Sequence, residues 1–411
     1  MFEPETTAQP DLRGGVAPWH AGVTLPEMRP PTADLRCGVL IVGAGITGSL
    51  MAEHLTRMGL DVVVIDRERP GFGSTAASTA MLQWEIDTPL GKLADLYGFE
   101  RAARIYQRSY AAARGLCGVI DELGLGCQLR QRQSVYLAAG DVGARDLLAE
   151  HELRTRAGLP GDFLDYRLLR QSFGFDREAA IVAPGSADAD PLRLSLLLLE
   201  TATRRGAKLL AADAVAWNSG LSSVTVGCAD GRTIEADHVV LATGYVMPDF
   251  VPAGLHRLAS SWAVATPVQR PDALWPERAL VWEASETYAY ARTTDDGRIV
   301  IGGEDDPDLI EPDARDQAMP DKARTLLAKL HTLWPPAVAT ADYVWSGVFG
   351  STVDGLPLIG TVPDRPRIHA AYGYGGNGIT FSFLASRMIH RLIAGGREDW
   401  FSDFAIDRSV P

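Results

Sequence analysis

The sequence predicts an α/β protein in which a doubly wound, mainly parallel sheet carries an inserted antiparallel sheet. A continuous apolar run over residues 39–42 is typical of a parallel strand that is buried on both faces. An amphipathic helical pattern follows and ends near Gly59, and a second apolar run over residues 62–65 completes a βαβ unit. Strands then alternate across residues 262–305 around an Asp296-Gly297 turn, which indicates antiparallel pairing.

The chain length indicates more than one domain. Its 411 residues are too many for one ordinary core, so we expect two intertwined domains. Prolines recur through residues 1–34 and prevent a helix or a central strand there, so we predict an extended arm lying on the surface. We assign the parallel-sheet domain to residues 35–90, 181–261 and 341–411. We assign the inserted substrate domain to residues 91–180 and 262–340.

Charge and cysteine content exclude several classes of protein. The 39 basic and 52 acidic residues give a net charge of −13, so we expect no nucleic-acid partner. The four cysteines lie far apart in the sequence, which argues against a zinc site or a dithiol motif, and we expect no metal. The chain has no long uncharged apolar run and no apolar signal-peptide segment, so we predict a cytoplasmic location without a membrane span.

A glycine motif follows the first predicted strand directly. Gly43, Gly45 and Gly48 have the G-x-G-x-x-G spacing and open the predicted helix. The first glycine permits a tight turn, the second lets a pyrophosphate approach the backbone, and the third lets helix and strand pack closely. Asp66 ends the next strand, where a carboxylate can accept hydrogen bonds from ribose hydroxyls. Strand, helix and acid in register predict a dinucleotide site; the alternative is a structural glycine turn.

Two further segments favour FAD over NAD. The small hydroxylated run at residues 73–80 can pass beneath a long cofactor and donate hydrogen bonds to its phosphates; the alternative is a surface linker. Near the C-terminus, Gly375, Gly376 and Gly378 flank Asn377 and open an apolar helix. The positive end of that helix would stabilise negative charge on a reduced flavin. The alternative there is a glycine-rich loop that only packs against the sheet.

Several stretches of the sequence form a joint pattern: Val39 to Asp66, Ala242-Thr-Gly244, Tyr290 to Arg298 with Ile301-Gly-Gly303, Asp354 to Gly360, and Gly373 to Gly378. This pattern resembles the D-amino-acid-oxidase-like (DAO) family of FAD-dependent oxidoreductases, in the group of gamma-glutamylputrescine oxidoreductase, glycine oxidase and sarcosine oxidase. The resemblance covers nearly the whole chain. The start of the arm, with Trp19-His20, is similar to the gamma-glutamylputrescine subgroup.

The resemblance implies a Rossmann-type FAD-binding domain with a cap domain for the substrate. It also implies an oxidoreductase that oxidises the C–N bond of a small amine or amino-acid derivative by hydride transfer to flavin N5. The FAD is expected to be non-covalent, because residues 345–350, which carry the attaching cysteine in sarcosine oxidases, contain none. The predicted cofactor residues are Gly43, Gly45, Ile46, Thr47, Gly48, Asp66, Arg67, Ser74, Thr75, Ala77, Ser78, Thr79, Met81, Val215, Thr243, Gly244, Gly375, Gly376, Asn377, Gly378, Ile379 and Thr380.

Two positions depart from the family pattern. Phe349 stands where glycine oxidase-like members place an arginine for the substrate carboxylate, which puts a simple α-amino acid substrate in doubt. Val300 stands where relatives of sarcosine oxidase place a lysine that activates oxygen. The electron acceptor is therefore left as oxygen or another carrier.

We predict that the active-site wall is formed by Trp84, Glu85, Tyr288, Tyr290, Arg292 and Trp345. Tyr288, Tyr290 and Arg292 alternate along one strand and so share a face, where the arginine can bind a carboxylate. The alternative is a surface arginine stacked on tyrosines. Glu85 lies among apolar neighbours and can pair with a cationic amine or take its proton; the alternative is a buried ion pair with an arginine.

Three other functions share parts of this pattern. A nicotinamide-dependent dehydrogenase uses the same glycine turn but has no need of the glycine-rich C-terminal segment. Flavin-dependent oxidation of a 2-hydroxy acid takes a hydride from a carbinol carbon on the same scaffold. A flavin-binding subunit without its own turnover would hold FAD that no small reductant bleaches.

Overall fold

The structure, a computed structural model, describes residues 12–307 and 311–411 and builds two sheets from them. The helices in this part of the chain are α1 (Ile46–Arg57), α2 (Ser74–Ala77), α3 (Leu90–Tyr97), α4 (Phe99–Glu122), α5 (Ala144–Arg156), α6 (Tyr166–Ser172), α7 (Pro191–Arg204), α8 (Pro312–Leu333) and α9 (Gly378–Ile393).

The smaller sheet is mainly parallel. Its strands are β2 (Leu35–Val42), β3 (Val62–Asp66), β8 (Lys208–Ala211), β9 (Ala214–Ser219), β10 (Val224–Cys228), β11 (Thr233–Leu241), β17 (Leu358–Thr361) and β18 (Ile368–Tyr372). The order is β17-β18-β11-β2-β3-β8, in which β18, β11, β2, β3 and β8 run parallel and β17 runs antiparallel. Strands β9 and β10 form an antiparallel ribbon on β11.

Both faces of the smaller sheet are buried, as the continuous apolar runs require. Helices α1, α7 and α9 pack against one another over one face, where Leu50, Leu55, Leu198 and Ile389 are buried with Val39. The opposite face forms a separate core with the β9–β10 ribbon and the loop after β11. Helix α7 starts at Pro191, and Asp190 caps it by accepting hydrogen bonds from two backbone N–H groups of its first turn.

The larger sheet is mainly antiparallel. Its strands are β1 (Arg13–Gly15), β4 (Met81–Leu82), β5 (Arg130–Ala138), β6 (Asp162–Asp165), β7 (Ala179–Asp188), β12 (His256–Ala265), β13 (Leu280–Ala284), β14 (Ala289–Thr293), β15 (Ile299–Asp306) and β16 (Tyr343–Thr352). The order is β1-β16-β12-β15-β14-β13-β5-β7-β4, with β6 on β7. Helix α8 covers β12, β15 and β16 with a second apolar core.

The predicted fold class is confirmed. The strand–helix–strand unit lies at β2, α1 and β3, and β2 pairs in parallel with β3. The strands over residues 262–305 pair antiparallel, with Gly297 at a positive φ of 89° in the turn between β14 and β15. Strand β13 pairs in parallel with β5, and the residue pattern of neither strand predicts this long-range pairing.

The N-terminal arm is predicted to lie extended on the surface, and residues 1–11 fall outside the described residues. Residues 20–34 are mostly exposed or half-buried, whereas part of residues 12–19 is built into the larger sheet. Strand β1 pairs with β16 at the edge of the larger sheet. Ala17 and Trp19 are buried, and the Trp19 ring lies 6.4 Å from the ring of Trp345. Prolines do prevent a central strand here, but an edge strand needs only one partner.

The predicted domain limits stay a prediction. Strands β12 and β16 belong to the larger sheet by hydrogen bonding, and both also line the cavity described below. Residues 256–261 and 343–352 fall in the predicted parallel-sheet domain, so the larger sheet extends across the proposed limits.

A buried ion pair holds the chain end against the loop before β17. The arginine binds both carboxylate oxygens: Arg408 Nη2 lies 2.7 Å from Asp354 Oδ1, and Arg408 Nε lies 2.9 Å from Asp354 Oδ2. The side chains are 2% and 0% exposed, so losing one partner would leave an unpaired buried charge. Burial by itself would raise the pKa of Asp354, but the hydrogen bonds and charge of Arg408 outweigh burial and lower it.

We expect Arg408→Met to lower the free energy of unfolding by about 3 kcal/mol or more, because Asp354 then remains buried without its cation. Denaturant unfolding followed by circular dichroism measures this loss. The exposed Arg36→Met is the control, and we expect it to cost less than about 1 kcal/mol. Equal losses in the two variants would contradict the structural role of the pair.

The stability that Asp354 contributes should depend on pH in a defined direction. Its folded pKa is lowered, so this contribution is present above the unfolded pKa and is lost as the pH falls through the folded pKa. We expect the difference in unfolding midpoint between the natural chain and Asp354→Asn to shrink from about pH 7 to about pH 3. A difference that grows in acid would refute the assignment.

Candidate functional site

A cavity of about 680 Å³ lies between the two sheets. The smaller sheet contributes the turn after β2, the end of β3 and the segment after β11. The larger sheet contributes side chains of β12, β13, β14 and β16. Its volume is within the range of small-molecule and cofactor sites.

The glycine motif forms a close-packed turn at one end of this cavity. Gly43 has φ +109°, and a Cβ atom there would lie 2.3 Å from the carbonyl oxygen of Ala242. A Cβ at Gly48 would lie 1.8 Å from the carbonyl oxygen of Gly43, so the third glycine lets helix α1 approach the strand, as predicted. Gly45 begins α1 and lines the cavity, which leaves its backbone open to a ligand.

Asp66 and Thr75 hold this turn in place. Asp66 Oδ2 accepts a hydrogen bond from Ala44 N at 2.6 Å, and Oδ1 accepts one from Glu68 N at 2.8 Å. Burial raises the pKa of Asp66 to about 6 in spite of these bonds. Each carboxylate oxygen can accept a second hydrogen bond, so ribose hydroxyls still find acceptors here. Thr75 Oγ1 accepts from Ile46 N at 2.9 Å and ties the hydroxylated segment to the first turn of α1.

The structure brings the predicted cofactor residues together around this cavity, with two exceptions. Gly48 packs against Gly43 behind the lining. Thr380 is buried and donates its hydroxyl hydrogen bond to the carbonyl of Gln83 at 2.8 Å. The others line one continuous space: Gly43, Gly45, Ile46, Thr47, Asp66, Arg67, Ser74, Thr75, Ala77, Ser78, Thr79, Met81, Val215, Thr243, Gly244, Gly375, Gly376, Asn377, Gly378 and Ile379.

The N-terminal end of α9 borders the cavity far from the glycine motif in sequence. A 3₁₀ turn over Gly375–Asn377 precedes the helix, and Gly375 has φ +60°. A side chain at Gly375 would meet the Asp87 carboxylate at 2.6 Å, so glycine is required for space as well as for conformation. The residues present therefore fit a long dinucleotide, with a glycine cradle at one end and a helix N-terminus at the other.

Aromatic side chains form the wall opposite the helix. Tyr288, Tyr290 and Trp345 line the cavity as predicted, and the two tyrosine rings lie 6.1 Å apart. The Tyr288 hydroxyl donates a hydrogen bond to Asp305 Oδ2 at 2.6 Å. Trp345 donates its indole hydrogen bond to the carbonyl of Ala77 at 2.8 Å and so joins the wall to the cofactor segment.

The structure corrects the placement of three predicted wall residues, which do not line the cavity. Trp84 is fully buried and donates its indole N–H to the carbonyl of Pro184 at 2.9 Å. Arg292 is buried beside Asp188, with 3.4 Å between Nη1 and Oδ1, and lies over the ring of Trp19 at 4.8 Å. Neither the carboxylate site nor the surface stacking predicted for Arg292 describes this position, because Asp188 at the end of β7 and Trp19 of the N-terminal arm enclose it.

Glu85 is the third corrected residue. Its carboxylate accepts hydrogen bonds from the hydroxyls of Ser134 and Ser186 inside the larger sheet. Burial raises the pKa of Glu85, while the nearby charge of Arg154 lowers it. The contacts of this carboxylate are thus buried serine hydroxyls rather than a substrate amine, and Arg154 acts on it through charge.

Two positions bear on substrate and acceptor. Phe349 lines the cavity, so an aromatic ring stands at the place where the resemblance expects an arginine. Val300 is buried in a core with Trp19 and Trp345 and does not line the cavity. Among the described residues no lysine and no cysteine lines the cavity.

Some lining residues were not predicted. Asp87 lines the cavity two residues after Glu85, and Gln83 lines it two residues before. Trp282 lines it on β13, directly across from Tyr290 on β14. The polar residues Gln83 and Asp87 stand in an apolar stretch, so the sequence contains a signal for their place in the site. The pairing of β13 with β14, which brings Trp282 to the cavity, has no such signal in the sequence.

Neither a cluster of metal ligands nor a membrane-spanning helix occurs in residues 12–307 and 311–411. No group of three or more potential metal ligands occurs in that part of the chain. In the same part, each helix is either too short or too polar to cross a bilayer. The four cysteines are buried as free thiols, and burial raises the pKa of Cys37 to about 12.

We expect Gly48→Ala to abolish dinucleotide binding, because the added methyl group collides with the Gly43 carbonyl and separates α1 from the turn. The absorbance of the purified protein in the visible range reports bound flavin. Gly118→Ala on α4 is the control, since nothing lies within 4 Å of its added Cβ. We expect the control to keep its cofactor and its stability within about 1 kcal/mol. Full flavin content in the Gly48 variant would contradict this packing.

Comparison with known proteins identifies the family. Residues 38–392 match the DAO family, described as FAD dependent oxidoreductase. Gamma-glutamylputrescine oxidoreductase of Escherichia coli strain K12 is 25% identical over 374 residues, 89% of this chain and 85% of that protein. Glycine oxidase of Bacillus licheniformis is 25% identical over 389 residues, 91% of this chain and 98% of that protein.

A solved structure shares the fold. Glycine oxidase from Geobacillus kaustophilus superimposes with a TM-score of 0.76 at 21% identity, over 92% of this chain and 100% of that one. The match over residues 38–392 shows that the chain belongs to the DAO family of FAD-dependent oxidoreductases.

Proposed function

We propose that this enzyme oxidises the C–N bond of a small amine or amino-acid derivative. The observation that carries the proposal is one continuous cavity with two different ends. One end has the glycine cradle and the hydroxylated segment that suit a dinucleotide, and the other is an aromatic pocket at the N-terminus of α9. A substrate in the aromatic pocket would therefore lie against the cofactor.

When bound, FAD would supply the hydride acceptor: the substrate nitrogen first loses its proton, the carbon next to it then gives up a hydride, and water hydrolyses the resulting iminium. The chain's own part is to orient the substrate and to favour negative charge on the reduced cofactor. Backbone N–H groups at the start of α9 and its helix dipole suit that second task. No cavity-lining side chain needs to act as a strong base. The electron acceptor that regenerates the cofactor is oxygen or another carrier.

The names of two relatives support an amine substrate. One is a gamma-glutamylputrescine oxidoreductase and the other a glycine oxidase, so both act at a carbon next to nitrogen. The aromatic pocket is compatible with an amine, since rings of Tyr288 and Tyr290 attract cations. We also propose that the FAD is non-covalent, which the lack of a cysteine among the described cavity-lining residues supports.

We expect the purified protein to be yellow and to release its colour into the supernatant on acid precipitation. Anaerobic addition of primary and secondary amines should then bleach the flavin absorbance of the native protein. The same amounts of matching 2-hydroxy acids are the control panel, and they should leave the spectrum unchanged.

Three outcomes would count against parts of this proposal. Colour that stays in the protein pellet would refute non-covalent binding. Bleaching by hydroxy acids alone would replace amine oxidation by carbinol oxidation. A flavin that no small reductant bleaches would indicate a binding subunit without turnover.

A further inference from the structure

Asp87 places a carboxylate at the aromatic end of the cavity. It lies between β4 and α3, and its Oδ2 accepts a hydrogen bond from Gly376 N at 2.6 Å. Its Oδ1 has no hydrogen-bond partner within the described residues, and the residue lines the cavity with part of its surface exposed. One oxygen of this carboxylate therefore faces space that a ligand can fill.

The charge near Asp87 is negative. Burial raises the pKa of Asp87, and the nearby carboxylate of Asp305 raises it further. The arginines of the cavity lining, Arg67 and Arg69, lie in the segment after β3, at the nucleotide end. A ligand carboxylate at Asp87 would be repelled, whereas a ligand ammonium would be attracted.

Asn377 holds the segment that carries Asp87 in place. Its side-chain nitrogen donates hydrogen bonds to the carbonyls of Gln83 at 3.3 Å and Glu85 at 2.8 Å, which fixes the orientation of the amide. Its side-chain oxygen is buried without a partner in residues 12–307 and 311–411, so this oxygen is not presented to the cavity. Asp87 is therefore the acceptor that this part of the wall offers to a ligand.

Aromatic rings complete this part of the wall. Burial raises the pKa values of Tyr288 and Tyr290, and the charges of Asp305 and Asp87 raise both further, so both phenols are neutral. Both tyrosines line the same cavity as Asp87. The Tyr288 hydroxyl donates to Asp305, which leaves its lone pairs as acceptors. Oxygen acceptors and ring faces together match an ammonium ion.

We propose that Asp87 binds the cationic nitrogen of a substrate that has no carboxylate next to that nitrogen, with the rings of Tyr288 and Tyr290 in the same wall. This inference rests on the proposed function and narrows its substrate class to amines rather than α-amino acids. Among the described residues no arginine lines this end of the cavity, so a substrate carboxylate has no cation there.

The test uses ligands that bind without reacting. Tert-butylamine carries an ammonium group at neutral pH but has no hydrogen on the carbon next to nitrogen, so hydride transfer from it is impossible. Its twin 2-methylalanine differs by one carboxylate in place of a methyl group. Titration calorimetry with the FAD-loaded protein measures the affinity for each. We expect at least tenfold tighter binding of tert-butylamine.

Variants then assign the effect to Asp87. Asp87→Asn keeps an oxygen for the Gly376 hydrogen bond but removes the charge, and we expect at least tenfold weaker binding of tert-butylamine. Asp87→Glu keeps the charge and should restore part of the affinity. Asp95→Asn, on the exposed side of α3, makes the same charge change outside the cavity and should bind as the natural chain does. The FAD content of each variant is measured first.

Some results would overturn the assignment: no binding of tert-butylamine to the natural chain, preference for 2-methylalanine, or unchanged affinity in Asp87→Asn. If Asp87→Asn fails to hold FAD, the comparison of tert-butylamine with 2-methylalanine in the natural chain still tests the inference.

Reduction of the flavin by butylamine and by its carboxylated twin norvaline separates this inference from the proposed function. Ammonium binding at Asp87 without flavin reduction by any amine would refute the proposed function alone. Amine oxidation that is the same in Asp87→Asn as in the natural chain would refute this inference alone.

Discussion

Four hydrogen bonds join the segment of residues 83–87 to the N-terminal end of α9, and the arrangement of the cavity depends on them. Asn377 donates to the carbonyls of Gln83 and Glu85, Thr380 donates to Gln83, and Gly376 N donates to Asp87. One segment leads from the larger sheet, and the other from the smaller one. The contact therefore fixes the distance between the cofactor end and the aromatic wall.

The same contact explains which side chains face the cavity. Backbone carbonyls of residues 83–87 are used by α9, so the chain there is not a regular strand that alternates between two faces. Trp84 and Glu85 turn into the core beside β5 and β7, while Gln83 and Asp87 remain at the cavity. Gly375 has φ +60°, which favours glycine, and the Asp87 carboxylate lies where side chains at 375 and 376 would begin.

Charge is distributed unevenly along the cavity. The nucleotide end has arginines, backbone N–H groups and the start of α1, all suited to phosphate. The aromatic end has carboxylates and phenols, while the cation predicted for it, Arg292, is held outside by Asp188. A buried arginine requires such a partner, because an unpaired charge in the interior is costly. An arginine on the expected strand face therefore does not imply a site for a carboxylate.

The sequence by itself determined the fold class and the cofactor end, because both depend on local patterns. A parallel strand, a G-x-G-x-x-G turn and an acid twenty residues later lie close together in the chain and constrain one another. Resemblance added the second glycine-rich segment at Gly375 to Gly378, and the structure brings it to the same cavity. The wall was predicted in part: Tyr288, Tyr290 and Trp345 reach the cavity, whereas Trp84, Glu85 and Arg292 do not. Only the tertiary structure decided those positions and revealed Asp87 and Trp282, because they depend on pairings such as β13 with β14 and on contacts between segments almost 300 residues apart. The pattern of apolar and polar residues within one segment does not predict which distant segment it will contact.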